Sequence, residues 1–296
     1  MISRMKKTTN SDIAFNILLY TAMILFSITV LYPFIYLTAL SFNQGIDALR
    51  GGITLWPRKF TLENYKIIFQ DPRLAHAVFI SVLRTVIGTV TAVVFTGLVS
   101  YCLTKRNLIG YRFHITLYIL PMYITAGIIP TYLTYRLFGL TNNFLVYIIP
   151  NFIWGFNLLI MRTFFDDLPH ALEESALLDG AGFYTVFFKI IFPLSMPVIA
   201  TISLFNAVWQ WNYWLDTVIF TRSKNLDTLM SILSRMLMEQ QSSDIANMRN
   251  SRRVKYLTPE VLKAAMTMVT TIPIILVYPF LQKYFVKGVM IGAVKG

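Results

Sequence analysis

The sequence predicts an all-α, polytopic membrane protein, and three observations carry that expectation. Only 14% of its 296 residues are charged, where a soluble domain carries about a quarter. Hydrophobic residues make up 56% of the chain, with a mean hydropathy of +0.59. They also gather into runs of spanning length, as expected when the solvent is lipid.

Six runs stand out, at 13–40, 76–103, 113–138, 143–163, 194–220 and 260–286. Each is long enough, at about 1.5 Å per residue, to cross a hydrocarbon core of about 30 Å. The whole chain, 1–296, reads as a single transmembrane domain without internal repeats. Pro33, Pro121, Pro130, Pro150, Pro197, Pro273 and Pro279 fall within or at the ends of these runs. Membrane helices tolerate such kinks where neighbours satisfy the freed carbonyls.

The basic stretch Met1–Lys7 precedes an apolar run far longer than the roughly 7–15 residues of a signal peptide's core. That run therefore reads as a retained first span. Basic residues divide almost evenly between the two sides of the membrane. The short N-terminal tail and the Lys105–Arg112 loop are both basic, and these carry most weight in placing the N-terminus inside. Cys102 is the single cysteine, so no internal disulfide is available. His76, His114 and His170 are scattered, and no metal-ligand spacing appears.

An energy source is not evident. Ion-coupled carriers usually bury carboxylates in their spans, yet the acids here lie in loops, tails or span ends, with Asp216 and Glu260 nearest the spans. No GxxxxGK[ST] phosphate loop is present. Three readings remain: a passive pore, a structural subunit, or a membrane half driven by a partner. Arg84, inside the second run, reads as snorkelling or as paired with carbonyls.

The connection after the fourth run holds LEESALLDGAG, Leu172–Gly182. Asp166 and Asp167 precede Pro169, a residue suited to a first helical position. Glu173 and Glu174 add negative charge near the start of the helix, which its dipole favours. Ala171, Ser175 and Leu178, beside Leu172 and Ala176, form a small, mildly apolar face. Asp179-Gly180 ends the helix, and a second amphipathic run, 183–192, leads back to Pro193. Physics alone leaves two readings open, a docking element and an ordinary interfacial loop.

The spacing resembles the EAA loop of ABC-importer permeases, a pattern of E-A-A, three residues, Gly, nine residues, then I-x-L-P. Here it reads Glu174-Ser175-Ala176, Gly180 and Ile190-Ile191-Phe192-Pro193, with serine for the first alanine and phenylalanine for leucine. The chain is similar over nearly its whole length to the carbohydrate-uptake, maltose-type and polysaccharide-permease-like branch. That likeness includes LYPFIYLTALSFN, LWPRKFTLENY, WQWNYW and KYFVKGVMIGAVKG.

The resemblance implies a type I ABC importer permease fold in the cell membrane, with both termini cytoplasmic. It implies alternating access driven by two ATPase subunits, which would carry ATP and magnesium, beside a homologous second permease and an extracytoplasmic sugar-binding protein. Glu173, Glu174, Ser175, Ala176, Asp179 and Gly180 are then the expected ATPase-coupling residues. Substrate-path candidates are Trp209, Gln210, Trp211 and Asn212 in the fifth run, with Asn151, Trp154 and Asn157 in the fourth. Rings there would stack on sugar faces and amides would bind hydroxyls; packing and an interfacial aromatic belt are the alternative. The basic run Arg249–Lys255 is either a solvated face or a field for an acidic partner or sugar. A stand-alone secondary transporter or facilitator is the alternative function. The sugar itself, acidic or neutral, is not legible.

Overall fold

The computed structural model describes residues 10–238 and 258–293, with side chains at 11–238, 258–277 and Pro279. The Met1–Lys7 stretch and the Arg249–Lys255 run lie outside the described residues. Helices dominate, and no strand is found among the described residues.

Three helices are long and apolar enough to cross a membrane, Ser11–Ser41, Pro72–Cys102 and Pro259–Val277. Two bent pairs qualify if each is taken as one span. Phe144–Asn151 with Gly155–Asp166 turns by 47°, and Phe183–Leu194 with Met196–Asn212 turns by 84°. The 113–138 run is not one helix. It forms Tyr111–Ile119, a short turn Leu120–Met122, and Ile128–Leu137, with non-helical backbone between. Likewise the 194–220 run breaks after Asn212 and resumes at Leu215–Phe220. Pro121 and Pro130 flank the first break, and each removes a helical hydrogen bond.

The chain divides into two compact units, residues 1–70 with 240–269, and residues 71–239 with 270–296. In the first, Ala39, Leu40 and Ile53 pack with Val261 and Ala264. Buried polar groups then fold the 41–65 segment back on itself. Asn64 Nδ2 donates to the carbonyls of Ser41 and Asn43, at 2.8 and 2.9 Å. Asn43 donates to Asp47, which also accepts from Arg58. The Asn43 bond pulls the Asp47 carboxyl below its ordinary pKa against the cost of burial, with help from Arg58. Arg58 and Asn64 come from LWPRKFTLENY, and Ser41 and Asn43 from LYPFIYLTALSFN, so the two stretches close one loop. Asn64→Leu should strand two buried carbonyls, at about 1–3 kcal/mol each. Faster proteolysis within residues 41–65, with the rest of the chain intact, is the expected readout.

In the second unit Pro72–Cys102 is the central helix. Its buried face carries Ala77, Ser81, Arg84, Gly88, Ala92, Thr96 and Ser100, spaced three or four residues apart on one side of the helix. Small residues suit this position, because lipid gives no hydrophobic drive to helix association and close packing must supply it. Two hydroxyls add interhelical hydrogen bonds, Thr96 to the Phe152 carbonyl at 3.2 Å and Ser100 to that of Leu158 at 3.0 Å. Met161, Phe165, Val186, Phe187, Val198 and Ile202 complete a core with Val93 and Tyr101.

Candidate functional site

Two places in the second unit gather the residues with chemistry. The first is the loop that follows Gly155–Asp166. Its helix, His170–Leu178, begins one residue after Pro169, which occupies the N-cap position. It ends in a Schellman arrangement: Gly180 N–H bonds the Leu177 carbonyl and Ala181 N–H bonds that of Ala176, each at 3.0 Å. Gly180 sits at φ +83° with open space where a Cβ would be. Backbone geometry therefore demands glycine here, and packing does not.

The helix has an attached side and a free side. Glu173 is nearly buried, accepting from Tyr101 Oη at 3.0 Å and pairing with Lys105. Ala176, three residues on, packs against the core. Glu173 binds the helix to the end of Pro72–Cys102, and Ala176 seats it on the core. Ala171, Leu172, Glu174, Ser175, Asp179 and Gly180 are exposed. Leu178 is 88% and Tyr184 76% exposed, so the free side sets apolar groups beside the acids Glu174 and Asp179. The adjacent glutamates thus separate, one held by its own chain and one open to solvent.

Substituting the two glutamates one at a time should separate these roles. Glu173→Gln should loosen the loop from Lys105 at a cost of about 1–3 kcal/mol, while Glu174→Gln should leave stability within about 0.5 kcal/mol. Hydrogen exchange across residues 170–182 would read the difference.

The second place surrounds Arg84. This side chain is wholly buried and paired with Asp216 through two nitrogens, at 3.2 and 2.7 Å. It also donates to Gln210 Oε1 at 3.0 and 3.1 Å and to the Tyr213 carbonyl at 3.1 Å. Tyr147 lies against the guanidinium, 4.3 Å from ring centroid to Cζ. Gln210 returns its own amide to the Tyr147 carbonyl at 2.9 Å. Arg84 therefore does not snorkel. It binds the central helix to the break after Asn212 and to the 144–151 segment. Gly88 makes room for this, since a Cβ there would lie 2.4 Å from Gln210 Nε2. Asp216 is likewise a buried ionic partner, although it sits near the end of an apolar run.

The path candidates scatter around this network. Gln210 is spent on Arg84 and Tyr147. Trp211 donates to the Thr270 carbonyl at 2.9 Å, and Asn212 bonds back to Val208 of its own helix. Asn157 is buried within Gly155–Asp166. Trp154 and Trp209 meet edge to face at 4.6 Å, and Trp209 stacks on Tyr213 at 4.4 Å. Asn151 and Trp209 reach a cavity of about 400 Å³, whose wall also includes Tyr135, Tyr213, Asp216 and the non-helical backbone of 124–127. Sequence reasoning singled out neither Tyr135 nor Tyr213. The flanking prolines were the available signal for the broken backbone.

Long apolar helices, two bent spans and a buried ion pair between helices define the class, a polytopic helical membrane protein. Residues 84–291 match the family described as binding-protein-dependent transport system inner membrane component, and the chain belongs to that family. It is 36% identical over 282 residues to the polygalacturonan/rhamnogalacturonan transport system permease protein YtcP of Bacillus subtilis (strain 168), covering 95% of this chain and 98% of that protein. It is 37% identical over 271 residues to Protein LplC of the same organism, covering 91% and 90%. The fold is similar, with a TM-score of 0.87 and 27% identity, to a chain of the crystal structure of a bacterial ABC transporter involved in the import of the acidic polysaccharide alginate. That match covers 94% of this chain and 98% of the other. The expected importer permease fold is thereby borne out.

Proposed function

We propose that this chain is the permease subunit of an ATP-driven importer of oligosaccharides, working by alternating access. It pairs with a homologous second permease and receives sugar from an extracytoplasmic binding protein. Two separate ATPase subunits carry ATP and magnesium. The chain crosses the membrane six times, with the broken 113–138 run as its third span and both termini cytoplasmic. Support for the sugar comes from the polygalacturonan/rhamnogalacturonan and alginate transport systems to which the chain is similar.

One observation carries the coupling role, the two-sided loop helix. Glu174, Ser175, Leu178 and Gly180 offer a free face for the ATPase, while Glu173 links the same helix to Pro72–Cys102 and Ala176 packs it on the core. A displacement of the docked helix is thereby passed through the Glu173–Lys105 pair and the Tyr101 hydroxyl to the central span. That span holds Arg84 and, through it, the break after Asn212. Force enters at the loop and arrives at the cavity wall along bonded groups. Asp179 is the C-cap of the docking helix, leading into the turn at Gly180.

The test is gentle purification of the tagged chain from its native membrane. A second permease and a soluble ATPase should accompany it. Recovery of the chain alone, under conditions that preserve other membrane complexes, would contradict the reading.

A further inference from the structure

The backbone of 124–127 lies midway along a run long enough to span the membrane, and among the described residues the N–H groups of Thr125, Ala126 and Gly127 find no hydrogen-bond partner. Non-helical backbone at membrane depth persists only where protein buries it or where it lines a wet cavity. This segment is exposed, and it lines the cavity of about 400 Å³ described above. That volume falls within the range of small-molecule pockets, about 300–1,000 Å³.

The wall chemistry is specific. Its residues include no Lys, Arg or His, and its one acidic member, Asp216, is already paired with Arg84. What remains is peptide N–H and C=O groups, the Asn151 side chain, whose Nδ2 already donates to the Tyr147 carbonyl at 3.0 Å, the phenols of Tyr135 and Tyr213, and the Trp209–Tyr213 stack. Trp209, whose buried Nε1 also lacks a partner among the described residues, belongs to the same wall. Such a lining matches hydroxyl groups and C–H faces. It offers no counter-charge to a carboxylate, since the one charge on the wall, Asp216, is already balanced by Arg84.

We propose that this cavity is a sugar subsite within the subunit itself, one that reads hydroxyls and not carboxylates. The proposal rests on the importer reading above and narrows it. Any acidic group on the transported sugar is then recognised elsewhere in the assembly, and this subunit binds the uncharged side of each unit as it passes. The unwound backbone supplies the donors and acceptors that a continuous helix would have kept for itself.

The single cysteine makes a clean test possible. Cys102→Ser removes the native thiol, and Ala126→Cys then places one reporter on the cavity wall. Membrane vesicles holding the assembled transporter are treated with a charged, membrane-impermeant methanethiosulfonate. The protecting probes are a trigalacturonide and its neutral methyl ester, and uptake of both is followed in parallel. The expected result is rapid labelling that either sugar slows severalfold, the ester at least as well as the acid. Absence of labelling would show the cavity filled by protein or lipid, and would overturn the proposal. Labelling that neither sugar slows, in vesicles that take the sugars up, would overturn the subsite and leave the importer reading standing. Protection by the acid alone would overturn the hydroxyl assignment. If deleting the chain leaves uptake of both sugars unchanged, the importer reading fails and takes the subsite with it.

Discussion

Arg84→Met is expected to destabilise the second unit by about 3–5 kcal/mol, the usual cost of leaving one member of a buried ion pair alone. Asp216 is 4% exposed and would keep the Thr217 N–H but lose its cation. Gln210 would lose both bonds to the guanidinium, and the Tyr213 carbonyl would lose its donor. Against a total stability of about 5–15 kcal/mol, such a loss is large. The purified variant should melt earlier in detergent and reach the membrane in lower yield.

The sharper test is Arg84→Met combined with Asp216→Leu. Removing both charges often proves neutral or stabilising when the replacements pack, so the double variant should recover most of the lost stability. Recovery of folding without recovery of transport would then mark the pair as a link between the central helix and the break after Asn212. Equal damage from the single and double variants would show that the charges matter separately.

Gly180→Asp is expected to leave the protein in the membrane and abolish most coupled transport. At φ +83° a side chain costs about 1–2 kcal/mol, although aspartate tolerates that region better than most residues. Folding should therefore survive, because the site is exposed and no neighbour would clash. The added carboxylate, however, stands at the rim of the free face, beside Asp179 and Leu178. Sugar uptake should fall while ATP hydrolysis by the partner continues or detaches. Gly180→Ala provides the control, since it shares the backbone cost without the charge. If both variants transport normally, the face does not dock an ATPase.

Residue patterns along the chain disclosed a good deal of this. The apolar runs foretold the long helices because lipid imposes a composition that few soluble helices share. The loop was legible from spacing, since a glycine must stand where the helix closes in a left-handed turn. The division between Glu173 and Glu174 was not. Two adjacent acids look alike until the helix shows which faces Lys105, 68 positions away.

Long-range pairing explains the other gaps. Arg84 and Asp216 lie 132 residues apart, so neither announces the other. Gln210 sits among aromatics and reads as a hydroxyl-binding amide, yet its side chain is committed to Arg84 and Tyr147. The break at 124–127 is hidden because Tyr123, Ile124 and Ala126 continue an apolar run. Hydropathy reports the solvent around a segment and is silent on whether its backbone is helical.

The most direct test of the central claim is sugar uptake into sealed vesicles holding the assembled transporter, measured with and without ATP on the cytoplasmic side. The account predicts uptake that needs ATP and the binding protein together, and that disappears with Gly180→Asp. Uptake that proceeds at the same rate without ATP would contradict it and make the chain a facilitator.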